Sequence, residues 1–287
     1  MTIFDFLLLF RYTPSMRDTL VIDLETKKSF DEVGGEKNIA DLGISVAGVW
    51  SYAQDAFFAL EEHELPRLAE ILKNTDHLIG FNIVHFDIPV MRPYMDAAIL
   101  DRIAVTDIFA DAVAFLGHRV GLGGVAKATL GQSKSGHGLE ALEWFRQGRI
   151  EEVKKYCMDD VRLTRDIYEY GKKHGHILFD SFVDGKAHSI PVRWVEEKEA
   201  PVAAVLADAF AARRRVAIEY VSSQDADRMG YRKSRLIDIY GIKQNGEIEA
   251  YCHLRSAVRK FNVRRVMSAT MTGETYAMPQ DVQPALL

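Results

Sequence analysis

The spacing of apolar residues changes character near residue 200, and this change restricts the fold more than any other feature. Before that point, short runs of β-forming residues alternate with segments whose apolar residues recur every three or four positions, as in amphipathic helices. After it, one helical segment precedes five short strands between residues 216 and 272. We therefore expect an α/β domain with helices over a mixed sheet, followed by a small β-barrel or sandwich.

A short charged segment that ends at Pro201 separates the two parts and has the composition of a linker. The predicted division is an N-terminal extension at 1–17, the α/β domain at 18–195, the linker at 196–201 and the β domain at 202–287. The α/β domain has predicted strands at 19–26, 41–52, 77–82 and 105–108, helices at 61–74, 87–98, 122–130, 139–146 and 150–170, and a hairpin at 176–194. The β domain has a predicted helix at 202–213 and strands at 216–221, 234–243, 247–254, 259–266 and 268–272.

Composition excludes some classes of protein. With 48% hydrophobic and 27% charged residues, the chain has enough apolar material for a buried core. It has no run of eighteen apolar residues, so we expect no membrane span. Only Cys157 and Cys252 are present, and both lie in apolar segments, which predicts reduced, buried thiols in a cytoplasmic protein.

The charge is distributed unevenly along the chain. The segment from Val202 onward has 13 basic and 9 acidic residues, whereas the remainder has 23 basic and 32 acidic residues. An acidic front part can house a cation, and a basic rear part can attract phosphates.

Two carboxylates lie two residues apart on the first predicted strand. Because side chains alternate along a strand, Asp23 and Glu25 point to the same face while Leu24 points to the other. Two carboxylates that share a sheltered site repel each other, and a cation between them relieves the repulsion. The pair alone is equally compatible with solvated charges at a strand end.

Two further segments supply acidic residues. Asp87 follows the predicted strand at 77–82 and opens a helix, five residues after Asn82; helix capping is the alternative explanation. Tyr156 and Asp160 lie four residues apart on the predicted helix 150–170 and share one helix face. An Asp inside a helix is unfavourable by propensity, so a function is indicated for Asp160.

Together these segments resemble the DEDD 3′→5′ exonucleases, which have a ribonuclease H-like fold. The order is D-x-E on a strand, N-x-x-x-x-D at a strand-to-helix turn and Y-x-x-x-D on a late helix. The tyrosine resembles the DEDDy branch, which includes the proofreading domains of family B DNA polymerases. The resemblance covers roughly residues 18–195.

The resemblance implies a two-metal-ion phosphodiester hydrolase. It implies that Asp23, Glu25 and Asp160 hold the ions, that Asp87 assists with the second, and that all four act in catalysis with Tyr156, which orients the attacking water. Carboxylate oxygens suit Mg²⁺ or Mn²⁺.

The same resemblance suggests a place for the nucleic acid. It implies that Thr26 contacts the terminal nucleotide and that Asn82 and Phe86 line the cleft, with a plain core role as the alternative for Phe86. Lys127 and Lys134, in the connecting segment, could contact phosphate, but we interpret both as solvated surface charges.

The rear part resembles a WYL domain, a small Sm/SH3-like barrel. The matching stretches are residues 216–220, 239–241, 249–255 and 259–266; the Trp-Tyr-Leu run itself is absent, and its place is taken by residues 247–249. Family members bind nucleic acids or nucleotide-like ligands. Arg255, Arg259 and Arg264 are the predicted phosphate contacts, because guanidinium groups bind phosphates in bidentate fashion.

Two functions are compatible with these features. The leading one is an exonuclease acting on 3′ ends, most simply of single-stranded DNA or RNA, with the barrel gripping substrate or binding a regulatory nucleotide. The alternative is a nucleotide- or nucleic-acid-sensing protein in which the nuclease fold is a scaffold. The sequence leaves the oligomeric state open.

Overall fold

The computed structural model describes residues 17–134, 138–181, 185–194, 202–222, 231–279 and 285–286. Helices α1–α8 are, in order, Leu65–Leu72, Asp87–Met91, Ala97–Arg102, Ile108–Leu116, Leu122–Leu130, Gly138–Arg146, Ile150–His174 and Val202–Ala211. Strands β1–β7 are Asp18–Thr26, Ile44–Ser51, Ala56–Glu61, Thr75–Gly80, Ala104–Asp107, His176–Asp180 and Ala187–Pro191. Strands β8–β13 are Arg214–Val221, Arg232–Ile242, Glu247–Cys252, Ala257–Asn262, Val266–Thr275 and Ala285–Leu286.

The chain folds into two compact units that are not consecutive in sequence. Unit 1 comprises Met1–Ala110 and Lys134–Arg165, and unit 2 comprises Asp111–Ser133 and Asp166–Leu287. The division of the chain at a linker 196–201 remains a prediction, because that segment lies outside the described residues.

Unit 1 is built on a five-stranded mixed sheet of order β3-β2-β1-β4-β5. Strand β2 is antiparallel to both β1 and β3, whereas β1, β4 and β5 are mutually parallel. The parallel strands therefore end at the same edge of the sheet, and the residues that follow them are brought together there. All of β2 is buried, which requires cover on both faces of the sheet.

A glycine allows α7 to approach this sheet closely. A Cβ added at Gly48 on β2 would lie 2.8 Å from Cys157 Sγ and 2.9 Å from Val161 Cγ2, which is too close for any larger side chain. Gly48 pairs with Asp23 on β1. Local packing of α7 on β2 thus sets the distance between the helix and the acidic strand.

The predicted fold class, a mixed sheet flanked by helices with a second all-β part, is confirmed. Several elements differ in detail from the predictions. The helix expected at 87–98 is divided, because α2 ends at Met91 and a 3₁₀ turn containing Pro93 follows. Strand β3 and helix α4 were not predicted, and α7 continues past Gly171 to His174.

Unit 2 contains the β6–β7 hairpin and an antiparallel sheet of order β11-β10-β9-β8-β12, to which β13 adds beside β9. Helix α8 packs its buried side chains, including Leu206 and Phe210, on the apolar face of this sheet. The predicted Asn245–Gly246 turn joins β9 to β10.

Among the described residues, no helix is both long enough and apolar enough to cross a membrane. Cys157 and Cys252 are buried free thiols, as predicted.

Candidate active site

A cavity of about 560 Å³ opens in unit 1 at the edge where the parallel strands end. Its lining includes all four carboxylates of the predicted set and the tyrosine: Asp23, Glu25, Asp87, Tyr156 and Asp160. These residues come from β1, α2 and α7, so the fold brings together segments that are up to 137 positions apart in sequence.

Strand β1 supplies the first two carboxylates. Asp23 and Glu25 pair with Gly48 and Val46 of β2 and so lie on one face of the strand, as alternation predicts. One carboxylate oxygen of each residue and the Sγ of Cys157 lie within 4.8 Å of one another. Asp87 and Asp160 line the cavity around this group.

The cysteine of this group had no functional interpretation from sequence. Cys157 is completely buried, and its thiol donates to the carbonyl oxygen of Asp23 at 3.3 Å. The thiol lies 3.8 Å from Asp23 Oδ2. Cys157 therefore supports the strand end that bears Asp23.

Helix α7 supplies Tyr156 and Asp160, which lie one turn apart and are almost fully buried. The Tyr156 ring packs edge-on against Trp144 of α6, with ring centroids 6.0 Å apart. Among the described residues, the Tyr156 hydroxyl, Asp160 Oδ1 and Asp87 Oδ1 are buried without a hydrogen-bond partner. Buried polar atoms are rarely left unpaired, so these atoms indicate a place for a ligand.

Lys134 also lines the cavity, so its interpretation as a solvated charge is wrong. Its ammonium forms an ion pair with Asp160 Oδ2 at 2.6 Å and lies 4.8 Å from the centroid of the Tyr156 ring. Only 25% of its side chain is exposed. Burial lowers the pKa of Lys134, but the charge of Asp160 outweighs this effect and raises the pKa above its usual value.

Burial dominates the titration of the four carboxylates. Desolvation is the largest cause in each case: it raises the pKa of Asp23 well above its usual range, that of Glu25 to about 8 and that of Asp87 to about 7. The pKa of Asp160 is also raised by burial, against the opposing charge of Lys134. The negative charge of Asp160 adds to the effect on Asp23 and Glu25.

This titration behaviour and the unpaired oxygens allow a test of whether divalent cations fit. The donors are carboxylate oxygens, which Mg²⁺ and Mn²⁺ prefer, and they are too crowded to ionise together without positive charge beside them. Lys134 supplies only one such charge. The residues present therefore fit hard divalent cations.

Three predicted nucleic-acid contacts also lie on this cavity. The Thr26 hydroxyl donates to the carbonyl of Lys28 at 2.9 Å, and Phe86 packs edge-on against Phe30, with centroids 6.1 Å apart. Asn82 adopts a left-handed backbone conformation with φ of 69°, which Asn tolerates better than most residues. All three thus reach the cavity, and Phe86 also packs against the core.

The three predicted arginines of the β domain do not share one strand. Arg259 lies on β11 and is exposed, whereas Arg255 precedes that strand and Arg264 follows it in a 3₁₀ turn. The Arg264 guanidinium donates to the carbonyl of Ala114 at 3.3 Å. The strand predicted at 259–266 therefore ends before Arg264, and the three arginines are carried by different local structures.

Comparison with solved structures gives three similar chains. The family B DNA polymerase of the archaeon Pyrobaculum calidifontis is 16% identical, with a TM-score of 0.42 over 56% of this chain and 25% of the polymerase. Proteasome accessory factor B/C of Arthrobacter aurescens is 17% identical, with a TM-score of 0.24; the match covers 84% of this chain and 27% of that protein. Exonuclease I is 11% identical, with a TM-score of 0.33; the match covers 88% of this chain and 64% of exonuclease I.

This chain thus covers less than two thirds of the length of each of these structures. No curated protein sequence matches it. At the level of sequence families, residues 201–271 match the WYL domain. The resemblance of the rear part to that family is thereby confirmed, and the chain carries a WYL domain at its C-terminal side.

Proposed function

We propose that the protein is a metal-dependent 3′→5′ exonuclease that hydrolyses phosphodiester bonds at the 3′ ends of nucleic acids. The observation that carries the proposal is the cavity of unit 1, where four crowded carboxylates, a tyrosine and a lysine meet. Two of those carboxylates have buried oxygens without partners. Crowded carboxylates of this kind are costly to keep in a folded protein unless cations bind between them, and the bound cations can then attract an anionic substrate.

Asp23, Glu25, Asp87 and Asp160 would hold the ions in this proposal. When bound, Mg²⁺ or Mn²⁺ supplies Lewis-acid stabilisation of the negative charge that develops on the phosphoryl group. The reaction adds a water oxygen to phosphorus and breaks the bond between phosphorus and the 3′ oxygen of the preceding nucleotide. That oxygen leaves with a proton, and a nucleoside 5′-monophosphate is released.

Tyr156 would orient the attacking water. Burial raises the pKa of its hydroxyl above the usual value, so the hydroxyl stays protonated at neutral pH and cannot act as a general base there. As a neutral group it can donate one hydrogen bond and accept another. The Lys134 ammonium is its charged neighbour, and the hydroxyl can still exchange hydrogen bonds with water or a phosphate oxygen.

Lys134 would orient Tyr156 and Asp160 of α7 and contact the substrate. Its ammonium lies at Asp160 and beside the Tyr156 ring, which restricts both side chains before substrate binds. An ammonium has three donors, so the ion pair leaves others for a phosphate oxygen. We therefore include Lys134 among the proposed site residues.

The proposal is tested with single-stranded DNA and RNA labelled at the 5′ end, in Mg²⁺, Mn²⁺ or EDTA. We expect a ladder that shortens from the 3′ end and requires metal. Asp23→Ala and Asp160→Ala should each abolish it.

The matched control for Asp160→Ala is Asp159→Ala. Asp159 is the adjacent carboxylate on α7, does not line the cavity, and pairs with Arg162 at 2.7 Å. Asp159→Ala should keep wild-type activity. Undiminished cleavage by Asp23→Ala, or equal loss in Asp159→Ala and Asp160→Ala, would contradict the proposed site.

A separate observation favours ligand binding by the WYL domain. Arg235 on β9 is 7% exposed, and its Nε is buried without a hydrogen-bond partner. Among the described residues, the hydrogen-bond partner of its Nη1 is the weak acceptor Cys252 Sγ at 3.6 Å. Within the described part of the chain, no carboxylate forms an ion pair with Arg235. A buried guanidinium in this state needs an anion.

We propose that this anion is a phosphate of a nucleic acid or nucleotide, bound by Arg235 with Arg259. Arg259 pairs with Ala250, and Arg235 pairs with Ile218; Ala250 and Ile218 are both buried in the core on one face of the sheet. The side chain of Arg259 therefore leaves the edge strand on the face that bears Arg235.

The control is provided by the next residue. Lys260→Met removes an exposed charge that points to the opposite face of β11. Fluorescence anisotropy of a labelled single-stranded oligonucleotide, read on Asp23→Ala protein so that nothing is degraded, should show weaker binding for Arg259→Met and Arg235→Met. Equal binding by Arg259→Met and Lys260→Met would contradict the assignment.

A further inference from the structure

Asp107, the last residue of β5, holds a network of backbone amides. Its Oδ1 accepts hydrogen bonds from the amides of Asn82 at 2.9 Å and Ala110 at 3.1 Å, and its Oδ2 accepts one from Val84 at 3.0 Å. The residue is 5% exposed. Both carboxylate oxygens are therefore committed to the backbone, and the side chain is not among those that line the cavity.

The segment that Asp107 binds has no regular structure of its own to hold it. Residues 81–86 form bends and turns between β4 and α2. At its start, Gly80 pairs with Asp107 across the parallel strands, and a Cβ there would lie 2.6 Å from Ile83 Cβ. At its end, the amide of Phe86 donates to the carbonyl of Asn82 at 3.0 Å. The loop thus turns tightly around the point held by Asp107.

This loop positions two residues of the cavity. Asn82 lines the cavity in the left-handed conformation, with its amide directed to Asp107. Asp87 follows the loop and also lines the cavity, with one buried oxygen unpaired. The two loop amides bound by Asp107 are two residues apart. The carboxylate therefore restrains the backbone of the loop at two points before Asp87.

We propose that Asp107 is a positioning residue that sets the placement of Asn82 and Asp87 for substrate and metal. This inference rests on the proposed exonuclease function and deepens it, since Asp107 itself touches neither. Its two oxygens accept separately from the backbone amides of Asn82 and Val84, which requires two acceptors on one side chain. An amide in its place offers one acceptor and sets an NH₂ group against a backbone N–H, so the hydrogen bond to Asn82 or to Val84 is lost.

The test compares Asp107→Asn with Asp18→Asn. Asp18 is an equally buried aspartate at the start of β1, 6% exposed, and its carboxylate accepts from the Ala53 amide at 2.9 Å and from the Ser51 hydroxyl. It does not line the cavity. Both variants lose a buried carboxylate that anchors backbone, so a loss of general stability affects both.

Three quantities separate positioning from stability. Mn²⁺ affinity, measured by electron paramagnetic resonance, should fall about 10- to 100-fold in Asp107→Asn, the range found when a partner that orients a metal ligand is removed. KM should rise and kcat should fall, and high Mn²⁺ should recover part of the activity. Asp18→Asn should keep the wild-type Mn²⁺ affinity and KM in its folded fraction.

A third variant distinguishes position from charge. Asp107→Glu keeps the negative charge but displaces the acceptors, so positioning predicts that it stays impaired. Wild-type Mn²⁺ affinity in Asp107→Asn, or full recovery in Asp107→Glu, would overturn the inference while the exonuclease function stands. A wild-type protein that binds no Mn²⁺ and cleaves nothing would instead overturn the proposed function, and the role of Asp107 with it.

Discussion

Replacing Glu25 by Gln should stabilise the metal-free protein at neutral pH, although it removes a proposed metal ligand. Burial and the charge of Asp160 raise the pKa of Glu25 from 4.5 to about 8. In the folded protein the carboxyl therefore holds a proton that the unfolded chain releases. Gln is neutral at every pH and resembles the protonated carboxyl in shape.

The sign and size of the effect follow from proton linkage. A carboxyl with a raised folded-state pKa contributes fully to stability below 4.5, and this contribution is lost as the pH rises through about 8. Each pH unit in that window is worth about 1.4 kcal/mol. At pH 7, about 2.5 pH units above 4.5, the wild type should be destabilised by roughly 3 kcal/mol relative to Glu25→Gln. At pH 5 the difference should fall below about 1 kcal/mol.

The assay is thermal unfolding in EDTA at pH 5 and pH 8, repeated at pH 8 with Mn²⁺. In EDTA the variant should melt above the wild type, and the gap should widen with pH. In Mn²⁺ the gap should narrow by up to about 2.7 kcal/mol, the stabilisation that a ligand gives the folded wild type at 100 times its dissociation constant. Glu36→Gln, an exposed substitution in the same unit, should shift neither curve.

Two results would refute this reasoning. A gap between Glu25→Gln and wild type that does not change between pH 5 and pH 8 would show that the Glu25 carboxyl is not held protonated by its surroundings. A variant that is less stable than wild type in EDTA at pH 8 would show that burial and mutual repulsion of the carboxylates do not destabilise the metal-free protein.

Two further substitutions test the packing and charge of the fold. Lys134→Met should destabilise the metal-free protein by about 1–3 kcal/mol, because it removes the ion-pair partner of the buried Asp160 carboxylate. Mn²⁺ can replace the missing positive charge at Asp160, so it should remove most of the difference in melting temperature between variant and wild type. A difference that Mn²⁺ does not change would contradict this reasoning. Gly171→Ala should destabilise unit 2 by about 1–3 kcal/mol, since its Cβ would lie 2.3 Å from Trp194 Cζ3, even though Ala favours helices. Trp194→Ala should suppress the Gly171→Ala defect in a double mutant, and additive losses would contradict the contact.

The local pattern of the sequence was sufficient for most elements. The alternation around Asp23 and Glu25 predicted their common face, and the four-residue spacing of Tyr156 and Asp160 predicted theirs. These predictions succeed because the periods of strand and helix are fixed by backbone geometry. The same local reasoning failed over 87–98, where Pro93 divides the expected helix.

Other features depend on residues far apart in the chain. Lys134 reads as one more surface charge until α7 brings Asp160 to within 2.6 Å of it. Cys157 reads as a small apolar residue until Gly48 lets it reach the carbonyl of Asp23. No periodicity records such pairs, since their geometry depends on how sheet and helix pack.

The sequence by itself determined which side chains could form an acidic site, because chemistry and spacing within single elements are local properties. Only the tertiary structure decided how that site is completed and supported. It placed Lys134 at the cavity and brought the Asp107 carboxylate to the backbone amide of Asn82. It also placed the three arginines of the WYL domain in different local structures. The reason is that parallel strands from distant segments end at one edge, and the contacts made there depend on packing.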